Sequence, residues 1–214
     1  MIVFRDPAEV PPGFGPSVVV IGKFDGVHSG HRAVIDRARV KAVSLGATVV
    51  AVTFDRNPLA LLAPDKCPEN LIGVNQKVRL LADTGVDAVL VLRFDEDLAS
   101  LAADEFASLV LVDALAAEAV LVGADFRFGR GGVGTAQTLT AFGLSHGFEV
   151  DVVHDVRAAD RGRRVSSTWI RELLSSGDVV GARKLLGRDH SVVGEVVHGL
   201  KRGREIGYPT ANLS

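Results

Sequence analysis

Short runs of Val, Ala and Leu alternate along the chain with stretches in which apolar residues recur every three or four positions. Continuous β-branched runs are typical of strands that are covered on both faces, as in parallel sheets. The runs predict strands at residues 18–21, 48–54, 87–93, 119–123 and 148–153. The pattern therefore favours an α/β fold with a mostly parallel sheet.

The periodic stretches between these runs predict the helices. The first helix, at about residues 29–45, carries a buried stripe at i, i+3 and i+4 spacing, and Gly46 follows as a C-terminal stop. The stripe consists of Val34, Ile35, Ala38, Ala42 and Leu45. Further helices are expected at about residues 75–83, 102–117, 135–146, 167–175 and 178–186. Ser166 or Ser167 and Asp178 are suitable N-caps for the last two.

The pattern changes near residues 187–190. The next segment, SVVGEVVHG, alternates as a strand of an antiparallel structure does, and a turn-rich basic segment follows it. We therefore predict one α/β domain at residues 1–187. Residues 188–214 are expected to be a linker and the incomplete first piece of another domain, because fewer than 30 residues are too few for a separate core.

Composition and charge narrow the functions open to the chain. A net charge of −2 over 214 residues gives no general attraction for nucleic acid or anionic membranes, so neither is an expected partner. No apolar run approaches the ~20 residues of a membrane span, and the N-terminal residues lack a signal-peptide core. The single cysteine, Cys67, excludes an intrachain disulfide and suits a reducing cytoplasm, which is the predicted location. The oligomeric state stays open.

The segment VVVIGKFDGVHSGH, residues 18–31, has the features of a phosphate site. A strand delivers the chain to a glycine-bearing loop at the carboxyl edge of the sheet, where α/β folds bind ligands. His28 and His31 stand at the following helix start, where free N–H groups attract phosphate. One alternative is a metal-binding histidine pair, although no third ligand stands at a suitable spacing. The other is that the two histidines merely supply polar groups that cap the helix. The loop also lacks the dinucleotide and P-loop patterns.

A second anion site is indicated by RRVSSTWIRELL, residues 163–174. Ser167 and Thr168 lie at a helix start and Arg171 one turn inside it, so hydroxyls, N–H groups and a guanidinium converge. Arg164 adds charge just before the helix. The alternative is an ordinary N-cap followed by a surface arginine.

A third segment, VGADFRFGRGGVGT at residues 122–135, places two phenylalanines around an arginine after a strand end. Such a group suits a planar ring together with a phosphate. The glycine-rich part by itself indicates little more than a flexible loop.

These segments together resemble the bacterial FAD synthetases, which belong to the nucleotidyltransferases with Rossmann-like folds. GKFDGVHSGH resembles their H-x-G-H signature, SSTWIR their S-S-T-x-I-R motif, and ADFRFG a segment that lines the flavin and nucleotide sites. GREIGYPTANL, residues 203–213, resembles the opening motif of the riboflavin kinase barrel. TFDRNP, residues 53–58, resembles T-F-x-P-H-P but carries Arg56 and Asn57 where Pro and His are usual.

The resemblance implies a Rossmann-like nucleotidyltransferase fold, followed by the start of a β-barrel domain, and transfer of AMP from ATP to FMN with release of pyrophosphate. The partners would be ATP, FMN, FAD and pyrophosphate, with Mg²⁺ bound through the ATP phosphates. The implied catalytic residues are His28, His31, Ser167, Thr168 and Arg171. The implied ATP-binding residues are Gly22, Phe24, Asp25, Gly26, Gly30, Asp125 and Arg164. The implied flavin-binding residues are Pro58, Phe126 and Phe128.

In the kinase motif, the resemblance assigns Thr210 and Asn212 to binding of magnesium-ATP. Because the remainder of the barrel is absent, this chain is not expected to phosphorylate riboflavin, whereas a full-length parent would. Two alternatives stay open. One is an adenylyl- or cytidylyltransferase that acts on another phosphorylated substrate, and the other is a flavin- or nucleotide-binding module without catalysis.

Overall fold

The computed structural model describes residues 1–153, 162–199, 202–205, 207–208 and 212–213. The strands are β1 (Ile2–Phe4), β2 (Ser17–Ile21), β3 (Thr48–Phe54), β4 (Ala88–Leu92), β5 (Ala117–Gly123), β6 (Arg127–Phe128), β7 (Gly134–Thr135), β8 (Glu149–Val153), β9 (Val196–Val197) and β10 (Asn212–Leu213). The helices are α1 (Ser29–Leu45), α2 (Leu59–Leu62), α3 (Val74–Ala82), α4 (Glu96–Ser100), α5 (Ala103–Ala107), α6 (Ala136–His146), α7 (Ser167–Ser175), α8 (Val179–Leu186) and α9 (Arg202–Glu205). A π-helical segment, Ser108–Ala114, continues α5.

The main sheet has the strand order β1-β4-β3-β2-β5-β8 within the described residues, and every neighbouring pair is parallel. The predicted α/β fold with a parallel sheet is thus confirmed. From β2 the chain moves to β3 on one side, and it later returns to place β5 on the other. Since the strand order reverses between β2 and β5, their carboxyl ends border the crevice in which folds of this kind bind ligands.

Two apolar cores lie on opposite faces of this sheet because side chains alternate along a strand. In β2, Val18 and Val20 belong to the first core, whereas Val19 and Ile21 belong to the second. The first core is covered by helices α1, α3, α7 and α8, and the second by α5, the π-helical segment and α6. Their large buried side chains include Ile35, Leu81, Ile170 and Leu186 in the first core and Leu111, Leu115 and Leu139 in the second.

Most predicted helices and strands of the α/β region agree with the structure to within about two residues, but the expected helix at residues 102–117 does not. It is divided into α5 and the π-helical segment and ends at Ala114. Ala116 then takes a φ of 43°, which a helix does not allow. Leu45, expected in the buried stripe of α1, is 37% exposed because the helix ends there and the chain turns at Gly46 with a φ of 63°.

Several short elements were not predicted. Strand β1 has only three residues, two of them exposed, and it is defined by its pairing with β4 rather than by an apolar run. In the expected antiparallel region, only Val196–Val197 forms a strand, and it pairs antiparallel with β10. No helix in the described part of the chain combines the length and apolar character needed to cross a membrane.

Candidate active site

Three loops leave the carboxyl ends of β3, β2 and β5 at the crevice. They begin at Asp55, Gly22 and Ala124. Since paired strands lie about 4.8 Å apart, the three loops emerge side by side. The sequence motifs with His28, Pro58 and Asp125 therefore come to one edge of the sheet.

His28 and His31 form a reciprocal cap at the start of α1. The backbone N–H of His31 donates to Nδ1 of His28, and the backbone N–H of His28 donates to Nδ1 of His31, each at 3.3 Å. The two rings are stacked, with centroids 3.6 Å apart and an angle of 15° between their planes. His28 is buried and His31 is half-buried. The spacing of H-x-x-H thus produces one compact imidazole pair.

Both imidazoles are neutral at neutral pH. Burial, followed by the nearby charges of Arg164 and Arg188, lowers the pKa of His28 from 6.5 to about 4. Burial likewise holds the pKa of His31 well below its usual range, with further contributions from His28 and Lys77. Because each Nδ1 accepts a backbone N–H, the ring proton must be on Nε2. Each ring therefore offers one Nε2–H donor, and no described residue bonds to either.

The glycine of H-x-G-H leaves room for the ring of the first histidine. A Cβ at Gly30 would lie 3.1 Å from both Cε1 and Nδ1 of His28, closer than ordinary contact allows. Phe24 is buried under the pair and meets the ring of His31 edge-on, with centroids 5.2 Å apart. A Cβ at Gly22 would lie 3.2 Å from the ring of Phe24. Gly22, Phe24 and Gly30, predicted to bind ATP, are thus seen here shaping the loop.

The start of α7 lies directly against this loop. Ser166 caps α7 by accepting the backbone N–H of Trp169 at 3.2 Å, and Oγ of Ser167 donates to the carbonyl of Asp25 at 2.8 Å. Thr168 is exposed, and its hydroxyl has no partner among the described residues. The structure therefore brings the two predicted anion-binding helix starts together, and the hydroxyl of Ser167 joins them.

Asp25 connects the parts of the crevice. One carboxylate oxygen accepts the backbone N–H of Leu71 at 2.9 Å, and the other pairs with a guanidinium nitrogen of Arg171. Arg171 also donates from Nε to the carbonyl of Glu69 at 2.6 Å. The carboxylate thus orients Arg171, which keeps further N–H groups for a ligand. Asp25 was predicted to bind ATP, and that role stays a prediction.

Asp125 and Arg164 form a bidentate ion pair across the crevice. The two guanidinium–carboxylate contacts measure 2.9 and 3.2 Å, and this hydrogen bonding, with the charge of Arg164, lowers the pKa of Asp125. Both side chains are largely exposed. The pair links the end of β5 to the segment before α7. Arg164 also acts on both histidines through its charge, so it lies within electrostatic reach of the imidazole pair.

The aromatic residues predicted to bind the flavin differ in their exposure. Phe128 is only 9% exposed and belongs to the second core, where it packs near Phe106. Phe126 is half-buried and stacks on Phe128 with a centroid distance of 5.3 Å. Pro58 directly precedes α2 as its N-cap, and its neighbour Asn57 lines the cleft described next. The flavin contacts of all three residues stay predictions.

An open cleft of about 320 Å³ lies beside β3 and the start of α3. Lys77 is at its wall, is only 7% exposed, and donates from Nζ to the carbonyl of Phe54 at 2.9 Å. Burial lowers its pKa, while Asp25 and Asp55 act in the opposite direction. Lys77 was not predicted as a site residue. The sequence did contain a signal for its burial, because Lys77 falls within the apolar stripe of the helix predicted at residues 75–83.

Arg188 is the other residue that sequence reasoning missed. It lies just after α8, outside every motif, yet its guanidinium contacts backbone carbonyls of the loop that carries His28. Of the predicted kinase residues, Asn212 lies in the exposed strand β10, and Thr210 lies outside the described residues. Nothing in this part of the structure bears on magnesium-ATP binding there.

Comparison with known proteins agrees with the resemblance to FAD synthetases that the sequence motifs indicated. A family model described as FAD synthetase matches residues 12–169, and one described as riboflavin kinase matches residues 186–214. Over 196 residues, the chain is 41% identical to the bifunctional riboflavin kinase/FMN adenylyltransferase of Escherichia coli strain K12 and 40% identical to its counterpart from Pseudomonas fluorescens. Each match covers 92% of this chain and 62% of the relative. The chain thus spans less than two thirds of their length.

A crystal structure described as a macrolide-efflux protein from Streptococcus pneumoniae has the same fold. Its TM-score is 0.80 at 34% sequence identity, and the match covers 100% of this chain and 68% of that chain. The two proteins are similar in fold and sequence. The description as an efflux protein applies only to the Streptococcus pneumoniae protein.

Proposed function

Because the chain belongs to the FAD synthetase family, we propose that it transfers AMP from ATP to FMN and releases pyrophosphate. One structural observation supports the proposal independently of the family relationship. The imidazole pair at the start of α1 and the hydroxyl and guanidinium groups at the start of α7 lie at a single crevice, joined by the 2.8 Å bond from Ser167 to Asp25. Two helix N-termini that lie against each other suit a polyphosphate.

In the proposed reaction, a phosphate oxygen of FMN forms a bond to the α-phosphorus of ATP. The bond from the α-phosphorus to the bridging oxygen breaks, and pyrophosphate leaves with its electron pair. The attacking phosphate is already an anion, so the protein needs neither a covalent nucleophile nor a strong base. Its contribution is to align the two phosphates and to stabilise the charge that develops in the transition state.

His28 and His31 would stabilise that charge at the α-phosphate. Their Nε2–H groups are donors that need no protonation step, because both rings are already neutral with the proton on Nε2. Their shared cap on α1 fixes the direction of both rings before substrate binds. Such preorganised donors are most effective where charge appears during the reaction.

Thr168 and Arg171 would hold the departing β- and γ-phosphates. The exposed hydroxyl of Thr168 is available, and the contacts of Arg171 with Asp25 and Glu69 fix the plane of its guanidinium. Ser167 would act mainly through its bond to the Asp25 carbonyl, which holds the two helix starts together. Arg164, paired with Asp125, would add positive charge on the β5 side of the crevice.

Mg²⁺ fits the oxygen donors of this crevice. Its usual partners are phosphates, water and one or two protein oxygens, and the hydroxyl of Thr168 and the carboxylate of Asp125 are of that kind. Across the residues that the structure describes, no group of three or more His, Cys, Asp or Glu is arranged to hold a metal. The triphosphate would therefore supply most of the ligands. When bound, the ion would neutralise charge on the leaving pyrophosphate.

For the flavin we propose the neighbourhood of Phe126, with Pro58 on the opposite side of the loop after β2. Phe126 has an accessible ring, whereas Phe128 supports it from below. We also propose that residues 1–187 carry the transferase and that residues 188–214 begin a riboflavin kinase domain, which would act on riboflavin and ATP in a longer protein.

Incubation with FMN, MgATP and pyrophosphatase tests the proposal directly. We expect FAD and two equivalents of phosphate per FAD, measured by chromatography and a phosphate assay. His28→Ala and Arg171→Ala should each lower kcat by about 10²–10³-fold, the usual loss for one oxyanion donor. His146→Ala, at the far end of α6, serves as the matched control and should behave as wild type.

Absence of FAD with active, folded protein would refute FMN adenylylation. Flavin binding without turnover would then favour a binding module, and pyrophosphate release with another phosphorylated acceptor would favour a different nucleotidyltransferase. Near-normal kcat in both variants would remove the roles assigned to His28 and Arg171.

A further inference from the structure

The side chain of Arg188 reaches from the end of α8 to the loop that precedes His28. Nη2 donates to the carbonyl of Gly26 at 2.7 Å, and Nη1 donates to the carbonyl of Val27 at 3.3 Å. Its Nε is buried without a partner among the described residues. A guanidinium is a rigid fork of donors, so these contacts fix two consecutive carbonyls at once.

The loop has a backbone that needs such support. Phe24, Gly26 and Val27 all have positive φ angles, of 48°, 85° and 38°. A β-branched residue such as Val27 rarely adopts this conformation, which persists only where the surroundings hold it. Gly26 and Val27 are buried, so a carbonyl that lost its donor there would lose hydrogen bonding that water replaces poorly.

His28 follows directly on Val27. The backbone N–H of His28 is one half of the reciprocal cap, and its ring accepts the other half. A shift in the carbonyls of Gly26 and Val27 would therefore be passed to the first imidazole. Arg188 is therefore connected to the imidazole of His28 through the backbone of Gly26 and Val27.

Residues beside Arg188 attach to the same region. His190 Nε2 is 3.1 Å from the carbonyl of Leu71, whose own N–H donates to Asp25. Gln76, at the start of α3, donates to the carbonyl of Ser191 at 3.0 Å and to its hydroxyl at 2.9 Å. The segment 188–191 thus contacts the loop that follows Asp25 and also Leu71, whose N–H binds the Asp25 carboxylate. It does so although it lies within the part matched by the riboflavin kinase model.

We propose that Arg188 is a positioning residue for adenylyl transfer, which holds the Gly26–Val27 backbone so that His28 stands correctly at the start of α1. The inference rests on the proposed function, because the reaction positioned is transfer of AMP. It assigns a task in the first reaction to a residue that belongs, by sequence, to the second domain.

Because Arg188 is charged, it also affects the pKa of His28. A residue that only packed against the loop would not have this measurable effect. The groups that act on His28 are Arg164 before α7, Arg188 after α8 and the stacked ring of His31 on α1. Arg188 contributes to the lowered pKa of His28, after burial and Arg164. Removing this cation should move the pKa of His28 upwards, towards 6.5.

Three variants test the proposal. Arg188→Met removes charge and donors but keeps the length of the side chain, Arg188→Lys keeps the charge, and Arg183→Met changes an exposed arginine near the end of α8. Steady-state FAD formation gives kcat and KM for ATP and FMN, and NMR of the imidazole CH groups gives the pKa of His28. We expect kcat to fall about tenfold or more in R188M, KM to change less than about threefold, and the His28 pKa to rise.

R188K should recover part of kcat and keep the low pKa of His28, and R183M should match wild type. Wild-type kcat in a folded R188M would overturn the inference, as would an unchanged His28 pKa. If R188M does not fold, Arg188→Gln takes its place, since wild-type kcat in a folded R188Q would also overturn it. If the wild-type chain itself makes no FAD, the proposed function fails instead, and the NMR titration still tests the contact with His28.

Discussion

At the scale of single residues, the two histidines perform a structural and a chemical task with different atoms. Their Nδ1 atoms close the cap on α1, and this leaves the ring protons on Nε2. The sequence predicted a paired imidazole site at a helix start, since that follows from spacing. It could not predict the tautomer or the low pKa, because these depend on burial and on Arg164 and Arg188, which are distant in sequence.

The buried imidazole of His28 should make the protein sensitive to acid. Its pKa is about 4 when folded and 6.5 ordinarily, so between these values the unfolded chain binds more protons. The free energy of unfolding is therefore at its full value above pH 6.5 and decreases as the pH falls to 4, by roughly 3 kcal/mol in total. Chemical denaturation at a series of pH values would measure the slope.

The matched variant is His28→Asn, because asparagine can still cap α1. Its stability should decline less steeply over the same interval. Equal slopes in the two proteins would show that His28 does not titrate as described. His31, whose pKa is also lowered, would account for part of the slope that remains.

Lys77 was not predicted as a site residue because lysine is usually solvent-exposed, although its position in the apolar stripe of a predicted helix was a signal. In the structure its amine lies beside the cleft and bonds to the carbonyl of Phe54. We expect Lys77→Met to lower kcat/KM for FAD formation by about tenfold, through loss of a cation that acts on His31. Stability should stay within about 1 kcal/mol, because methionine has a similar length and removes a buried charge.

Thermal unfolding and steady-state kinetics would separate the two effects of this change. Lys66→Met, at an exposed position before the same helix, is the control and should alter neither. A K77M protein with normal kinetics and reduced stability would assign Lys77 to packing alone.

At the scale of the elements, long periodic segments and continuous apolar runs were predictable, and short ones were not. Helix α1 has 17 residues, and both its ends are marked in the sequence. Strand β1, in contrast, exists through its pairing with β4, and the π-helical segment has no sequence signal of its own. The contact between the starts of α1 and α7 depends on residues 142 positions apart, which no local pattern can show.

A substitution at Gly30 tests whether the space at the start of α1 determines the position of the His28 ring. Alanine is favoured over glycine in a helix by about 1 kcal/mol, so Gly30→Ala should leave stability within about 1 kcal/mol of wild type. The new Cβ would lie 3.1 Å from the ring of His28 and displace it. We expect kcat to fall about tenfold, as measured by FAD formation. Gly73→Ala, where a Cβ meets nothing within 4 Å, should have normal kcat, and an equally normal kcat in G30A would contradict the explanation.

At the scale of the whole molecule, one sheet supports both cores, and the crevice depends on each of them. Leu81 and Leu111 are fully buried on opposite faces. Leu81→Ala and Leu111→Ala should each lower the free energy of unfolding by about 2–5 kcal/mol, and each should unfold in one transition. The buried Trp169 reports on the first core by fluorescence, and circular dichroism reports on the entire fold.

Coincident curves from the two probes are expected for both variants. Leu144→Ala, at an exposed position on α6, should change stability by less than about 0.5 kcal/mol. If the fluorescence transition of L111A came at higher denaturant than its dichroism transition, the two faces would be separate folding units.

The hydrogen bonds from Arg188 to the carbonyls of Gly26 and Val27 affect where this domain can be joined to a domain from another protein. A splice point chosen from sequence alone would fall at residue 187, the domain boundary predicted from the change of pattern. A chimera joined there would inherit a foreign side chain opposite two buried carbonyls. We expect the exchangeable module to extend through Ser191, so that it keeps its own Arg188. A partner joined at residue 187 would be compatible only if it placed an arginine at position 188.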